Sequence, residues 1–253
     1  MGVSVPLFGV LPQEVLLDVL PVEFEANDFK TTIENIRQIS IPQSFIDTII
    51  SKFENAKYFA VRSSAMDEDG AQFSFAGQFE SYLFVTKENL ADKIKQVWCS
   101  LFTERVVGYR KNNNIASQVG IAVIIQEMID SDVSGVGFGL NPVNGNKDEK
   151  WINAVYGLGH GLVSGELNAD QFIITHGNVT TKLADKTDKF VLDSDTMEGI
   201  KKVSVAEEQQ HIASLNDKQV LQLGEVLNQL YNEYHTPQDI EFAFKDEKLF
   251  LLQ

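Results

Sequence analysis

Apolar residues recur at helical spacing through the first part of the chain. TTIENIRQ (31–38) and PQSFIDTIISKF (42–53) both carry Ile or Phe in that rhythm, so residues 1–57 are predicted to be mostly helical. KYFAV (57–61) then reads as a short buried strand ending at Arg62, and SYLFV (81–85) as another. From Lys87 to Lys111 the pattern predicts one long amphipathic helix, with Leu90, Ile94, Val97, Trp98, Leu101, Val106 and Tyr109 on one side; NNN at 112–114 ends it. Strand patterns follow in GIAVIIQEM (120–128), SGVGFGL (134–140), WINAVYG (151–157) and QFIIT (171–175). Residues 176–204 are polar and read as hairpins or loops, 205–214 and 217–235 as helices, and DIEFAF (239–244) with KLFLLQ (248–253) as a closing strand pair. This order predicts an α+β fold with mainly antiparallel sheets, not a doubly wound parallel sheet. A lobe boundary is expected near 112–120, giving an N-terminal lobe over 1–115 and a C-terminal lobe over 116–253.

Composition narrows the classes. The 253 residues are 43% hydrophobic, enough for a large core in one big domain or two lobes. A net charge of −15 argues against a broad nucleic-acid footprint and against binding to anionic membrane surfaces. A small anionic ligand stays open, because it needs only local positive charge or backbone N–H groups. The single cysteine, Cys99, excludes an internal disulfide and a cysteine-rich zinc site; it reads as a core residue and fits a reducing cytoplasm. The apolar start has no Lys or Arg before it, and prolines and acids interrupt it, unlike a signal peptide. No apolar run approaches the ~20 residues needed to span a bilayer.

The standard phosphate motifs are missing. There is no GxxxxGK[ST], and GLGHGLVSG (157–165) has Leu162 where GxGxxG needs glycine. His160, His176, His211 and His235 form no HExxH pair and read as surface or capping residues. The closing hairpin says more. Alternation puts Asp239 and Glu241 on one strand face and Ile240, Phe242 and Phe244 on the other. Two neighbouring carboxylates need a cation, a basic partner or water. Mg²⁺ suits them, as it takes hard oxygen ligands and brings phosphates with it; a solvent-facing edge strand is the alternative. A three-residue loop, Lys245–Asp246–Glu247, would set Glu241 opposite Leu251 and Asp239 opposite Gln253, on the carboxylate face. The stretch VRSSAMDEDGAQFSFAGQFES (61–81) is the other candidate. Arg62 follows a strand end with a fork suited to two phosphate oxygens, and Gly77 sits in a small-residue loop that an anion could approach closely. An ordinary turn with an Arg62 salt bridge is the competing reading.

That stretch resembles the VRSSA–ED–SFAGQ–E–T signature of the phosphoenolpyruvate synthase family. Its amino-terminal nucleotide-binding domain is shared with pyruvate phosphate dikinase and rifampin phosphotransferase. IIQEMIDSDVSGVGF (124–138), NAVYGLGHGLVSGELNADQF (153–172) and DIEFAFKDEKLFLLQ (239–253) continue the likeness in the family's order. The resemblance implies an ATP-grasp-like, two-lobe nucleotide-binding domain and Mg-ATP chemistry. A phosphoryl group moves to a histidine on a separate swivelling domain and then to an acceptor bound elsewhere in a parent chain. It implies roles residue by residue. Arg62 resembles the phosphate-binding arginine, and Gly77, Gln78 and Ser81 resemble the loop over the phosphates. Gln126, Glu127 and Met128 resemble the adenine-reading strand and hinge. Glu241 and Gln253 resemble the Mg²⁺ ligands, with Asp239 in support.

The departures are specific. No GGKG lysine segment precedes Arg62, and no Arg-Pro follows Gln253, so the chain reads as a fragment of a longer phosphotransferase, weak in ATP binding and inactive alone. His160 stands where GLGE is usual, Gly139 where SGVxFT has Thr, and Ser81 where Thr is common. Pyruvate is the expected acceptor. An antibiotic acceptor, or a degenerate stand-alone nucleotide-binding or interaction module, are the alternatives.

Overall fold

The computed structural model describes residues 3–19, 29–64, 80–112 and 121–253. Two compact units make up the chain: Leu7–Met128 with Ser194–Gly199, and Met1–Pro6 with Ile129–Asp193 and Ile200–Gln253. The main division thus falls after Met128 instead of near residue 115, because the strand of residues 122–127 pairs with strands that precede it.

The first unit runs β1 (Phe8–Leu11), α1 (Gln13–Val19), α2 (Phe29–Gln38), α3 (Gln43–Ile50), β2 (Phe59–Ser64), β3 (Ser81–Val85), α4 (Leu90–Ser100), α5 (Glu104–Asn112) and β4 (Ala122–Glu127). Its strands form an antiparallel sheet in the order β1-β4-β2-β3. One face carries Leu11, Phe59, Val61, Val123 and Ile125, all buried, and packs with Ile36, Ile46, Leu90, Ile94, Val97 and Trp98 from the helices. Leu90, Ile94, Val97 and Trp98 recur at the spacing of one helical stripe, which is why α4 forms and where it docks. Cys99 sits half-buried against this core, and burial raises its thiol pKa.

One expectation is refined here and one fails. Residues 1–57 are mostly helical where described, as expected, but Phe8–Leu11 is a strand that pairs with β4. Pro6 and Pro12 bracket that stretch and interrupt a helix, while a short edge strand tolerates them just outside it. The helix over 87–111 is two helices. The Leu101, Phe102 and Thr103 N–H groups donate to Trp98, Cys99 and Ser100 O, i→i−3 bonds that tighten the chain and end α4. The Thr103 hydroxyl then accepts the Val106 N–H at 3.4 Å and starts α5.

The second unit continues with β5 (Val133–Phe138), β6 (Glu149–Tyr156), α6 (His160–Val163), β7 (Asp170–Thr175), β8 (Asn178–Lys182), β9 (Asp188–Leu192), β10 (Ile200–Ser204), α7 (Glu207–Gln210), α8 (Asp217–Tyr234), β11 (Asp239–Lys245) and β12 (Lys248–Leu251). Six of these strands form an antiparallel sheet, β12-β11-β5-β6-β7-β8, and β9 pairs with β10. The antiparallel α+β expectation holds in both units. α8 begins at a capping box, in which Asn216 accepts the Gln219 N–H and the Gln219 side chain accepts the Asn216 N–H. It buries Val220, Leu223, Leu227 and Leu230 in one core with Ile152, Phe172, Ile174, Ile240, Phe242 and Phe244 from the sheet. Gly224 lets it approach closely, as a Cβ there would lie 2.6 Å from Ile174 Cδ1.

The helix expected over 205–214 is only the four residues of α7, and a buried ion pair accounts for the difference. Lys186 Nζ donates to Asp170 Oδ1 at 2.7 Å, and both side chains are almost fully buried. The Ala184 N–H donates to Oδ1 at 2.8 Å and the Ser214 N–H to Oδ2 at 2.7 Å. Drawing the Ser214 amide onto Asp170 pulls the segment between α7 and α8 out of helical geometry. Burying two charges is favourable only when such bonds satisfy them. Lys186→Met, which strands Asp170, is expected to cost about 3–5 kcal/mol in urea unfolding, and the pair Asp170→Asn with Lys186→Met is expected to recover part of it. A single-variant loss under about 1 kcal/mol would mean that the ion pair does not hold the unit.

Candidate functional site

Directly opposed residues in antiparallel strands share a face, and alternate residues along one strand do too. Arg62 on β2 lies opposite Ser81 on β3 and Ile124 on β4. Gln126 lies opposite Ala60, two residues before Arg62, and opposite Phe8. Arg62, Ser81 and Gln126 therefore share the sheet face away from the helical core. Arg62 is half-buried, Ser81 is exposed and Gln126 is 4% exposed. Gly77 and Gln78 lie outside the described residues. Glu127 pairs with Phe59 and falls on the other face. There it lines, with Leu7 and residues 51–56, a pocket of about 590 Å³ that holds none of the other expected site residues. Its N–H donates to Leu7 O, and the Met128 N–H donates to Tyr58 O at 3.0 Å, just where the first unit ends.

In the second unit the register sets Asp239 and Glu241 on one face, as the alternation of DIEFAF predicts. Ile240, Phe242 and Phe244 enter the α8 core, and the two carboxylates take the opposite face. The loop expectation is overturned. Lys245 pairs with Lys248, so the turn is only Asp246–Glu247, with φ 47° and 61°. Both are left-handed, as a two-residue hairpin whose twist matches the strands requires. Asp132 offsets their cost: its Oδ2 accepts the Asp246 N–H at 2.8 Å and its Oδ1 accepts Lys245 Nζ at 2.9 Å. The Lys245 hydrogen bond, helped by the Asp246 N–H, lowers the Asp132 pKa.

A two-residue turn continued as a regular ladder would send Gln253 to the apolar face. The strand does not continue regularly. The Leu252 and Gln253 N–H groups both donate to Glu241 O, at 2.8 and 3.4 Å, and the Glu241 N–H donates to Gln253 O at 2.9 Å. Two residues opposing one is a β-bulge. One extra residue resets the alternation, so Gln253 returns to the side of Glu241. Gln253 thus stands opposite Glu241 instead of Asp239, the partner that a three-residue loop would have set.

The row across the sheet from Glu241 runs through Val136, Asn153 and Gln171, and the next row from Asp239 runs through Phe138, Trp151 and Ile173. Asn153, Gln171 and Trp151 are half-buried residues that motif reading passes over. The alternation of WINAVYG, with Ile152 and Ala154 inward, is the signal that could have found Asn153. The Trp151 indole N–H is buried and has no hydrogen-bond partner among the described residues.

Other departures have local explanations. A Cβ at Gly139 would sit 2.9 Å from Gln238 N and O, so threonine does not fit there. His160 begins α6 with its ring edge-on to Phe190, 5.3 Å between centroids. His176 sits in the β7–β8 turn and His235 ends α8 in a left-handed conformation, while His211 is exposed 3.4 Å from Asp185.

No group of three or more His, Cys, Asp or Glu residues among the described residues is placed to hold a metal. Two carboxylates and an amide oxygen remain as a donor set. That set fits Mg²⁺, which uses one or two carboxylates and keeps its other positions for water and phosphate; a transition metal would want nitrogen or sulfur. Asp239 is exposed, and partial desolvation on the sheet face raises its pKa, a modest cost that a nearby cation would offset.

Residues 30–253 match the family described as "Pyruvate phosphate dikinase, AMP/ATP-binding domain". The chain belongs to that family. It is 36% identical to the rifampicin phosphotransferase of Bacillus cereus over 225 residues, 87% of this chain and 26% of that protein. It is 33% identical to the phosphoenolpyruvate synthase of Pyrococcus furiosus over 267 residues, 95% of this chain and 33% of that protein. It is 35% identical to a prodigiosin-synthesizing transferase of Serratia marcescens over 196 residues, 77% of this chain and 22% of that protein. The chain thus spans a third or less of each of these relatives. Among the described residues, no helix is long and apolar enough to cross a membrane.

Asp239 supplies a test independent of the family. A carboxyl whose folded pKa is raised destabilises the fold above that pKa and is neutral below its unfolded value of 3.8. Asp239→Asn is therefore expected to raise the urea midpoint at pH 7, with an advantage that disappears below pH 3.8. A variant no more stable than the parent at pH 7 would remove the desolvation argument.

Proposed function

We propose that the chain is the Mg-ATP-binding domain of a phosphotransferase with an ATP-grasp-like fold. The parent protein passes a phosphoryl group from ATP to a histidine on a separate domain. Arg62 and Ser81, with Gly77 and Gln78, take phosphate oxygens. Gln126 and the backbone through Glu127 and Met128 read the base. Glu241 and Gln253 hold Mg²⁺, with Asp239 in support. The observation that carries this reading is the bulge that brings Gln253 back to Glu241, since an amide oxygen beside two carboxylates is a hard-oxygen set suited to Mg²⁺ and phosphate. Its chemical contribution is positioning and charge neutralisation, the main demands of phosphoryl transfer. The bound metal supplies neutralisation of phosphate charge. Arg62 adds a fork that orients two oxygens at once.

Pyruvate is the acceptor we propose for the parent. A rifamycin-type antibiotic is the second reading, favoured by the likeness to rifampicin phosphotransferase. The residues argued here address the donor, so they serve either acceptor. On this reading the working protein is cytoplasmic.

Calorimetry tests the donor assignment. Mg-ATP is expected to give binding heat that weakens when Mg²⁺ is left out. Arg62→Ala is expected to weaken Mg-ATP binding about tenfold, or roughly 1.4 kcal/mol. No heat at millimolar Mg-ATP would defeat the proposal, and unchanged affinity in the variant would make Arg62 structural.

A further inference from the structure

Asn153 lies on β6, flanked on both sides within a six-stranded sheet, on the face that carries Asp239 and Glu241. Asparagine is disfavoured in strands, so its position calls for a compensating contact. None is present among the described residues: the Asn153 carboxamide makes no side-chain hydrogen bond there, and neither does that of Gln171 directly opposite it. Both are half-buried, on a face whose other β6 positions are Glu149, Trp151 and Val155. Glu241, Val136, Asn153 and Gln171 form one cross-strand row. Glu241 and Asn153 are two strands apart, about 10 Å between backbones, with only a valine between them.

We infer that Asn153, continued by Gln171, is a further positioning residue of this face, donating amide N–H groups to the phosphate chain of a nucleotide whose metal Glu241 holds. The inference rests on the Mg-ATP reading above. The chemistry of the row favours it. Glu241 accepts only and repels phosphate unless a cation intervenes. A carboxamide brings two N–H donors without charge, so it can approach a phosphate oxygen beside carboxylates and add no repulsion. Gln171 carries the same donors one strand further, so the donor surface continues past the metal set along the row.

The test uses the full chain, Mg-ATP and AMP as probes, and two near-isosteric variants. Asn153→Leu removes the donors and suits a strand, so its unfolding midpoint is expected to stay at or above the parent's. Its Mg-ATP affinity is expected to fall at least tenfold and its AMP affinity less than twofold. Asn153→Asp replaces a donor with an anion and is expected to bind Mg-ATP still more weakly. Mg-ATP binding by the parent that Asn153→Leu leaves intact overturns this inference alone, and so does an equal loss of ATP and AMP. An Asn153→Asp variant that binds Mg-ATP as well as the parent overturns the donor role in favour of an oxygen ligand. Absence of Mg-ATP binding by the parent defeats the nucleotide reading itself, and this inference with it.

Discussion

The register of β11 is the constraint on which the candidate metal face depends. Slipping this strand by one residue would bury Asp239 and Glu241 in the α8 core and expose Ile240, Phe242 and Phe244. Three features guard against that slip. The apolar triplet packs into the core. Asp132 grips both the Lys245 ammonium and the Asp246 amide at the hairpin end. At the other end the bulge ties Leu252 and Gln253 to the backbone of Glu241. A charged clamp holds the turn, and the irregular pair lies at Glu241 itself, two residues from Asp239. Asp132 is half-exposed, so its ion pair adds little energy by itself. Its part is geometric, because it stabilises two left-handed non-glycine residues in the turn.

The Asp170–Lys186 pair has the opposite character. It is buried, fully hydrogen-bonded and on the core side of β7, where it joins the segment before β9 to the lead-in of α8. α8 then covers one face of the sheet, so that the other can carry polar side chains. A sheet with one packed face and one polar face reads as alternation, and that alternation locates the candidate site residues.

Much of this was legible in the sequence because alternation and helical periodicity are local. DIEFAF separates carboxylates from aromatics with no knowledge of its partners, and LNDKQV carries a capping box in plain view. What was not legible depends on pairing at a distance. FGVL becomes a strand because β4 lies beside it. The 101–103 break rests on i→i−3 backbone bonds and a hydroxyl cap, which periodicity alone reads as one long stripe. The hairpin had two admissible loops, and left-handed Asp246 and Glu247 were not foreseeable without the Asp132 contact. Gln253 came to the expected side for a reason that strand counting does not contain. Asn153 opens the block NAVYGLGHGLVSGELNADQF with no role marked for it, and only the register joins it to Glu241.

Arg62, Ser81 and Gln126 likewise share one face of their own sheet, while Glu127 takes the other. Four of the polar residues on the two open faces are amides: Gln126, Asn153, Gln171 and Gln253. Amides neither titrate near neutral pH nor attract ions over a Debye length, about 8–10 Å in ordinary salt. On the proposed reading, a chain of net charge −15 repels bulk polyanions on approach, and a small ligand is held by matching these donors. Long-range charge then acts as a filter on what arrives, and the short-range amide pattern selects what stays.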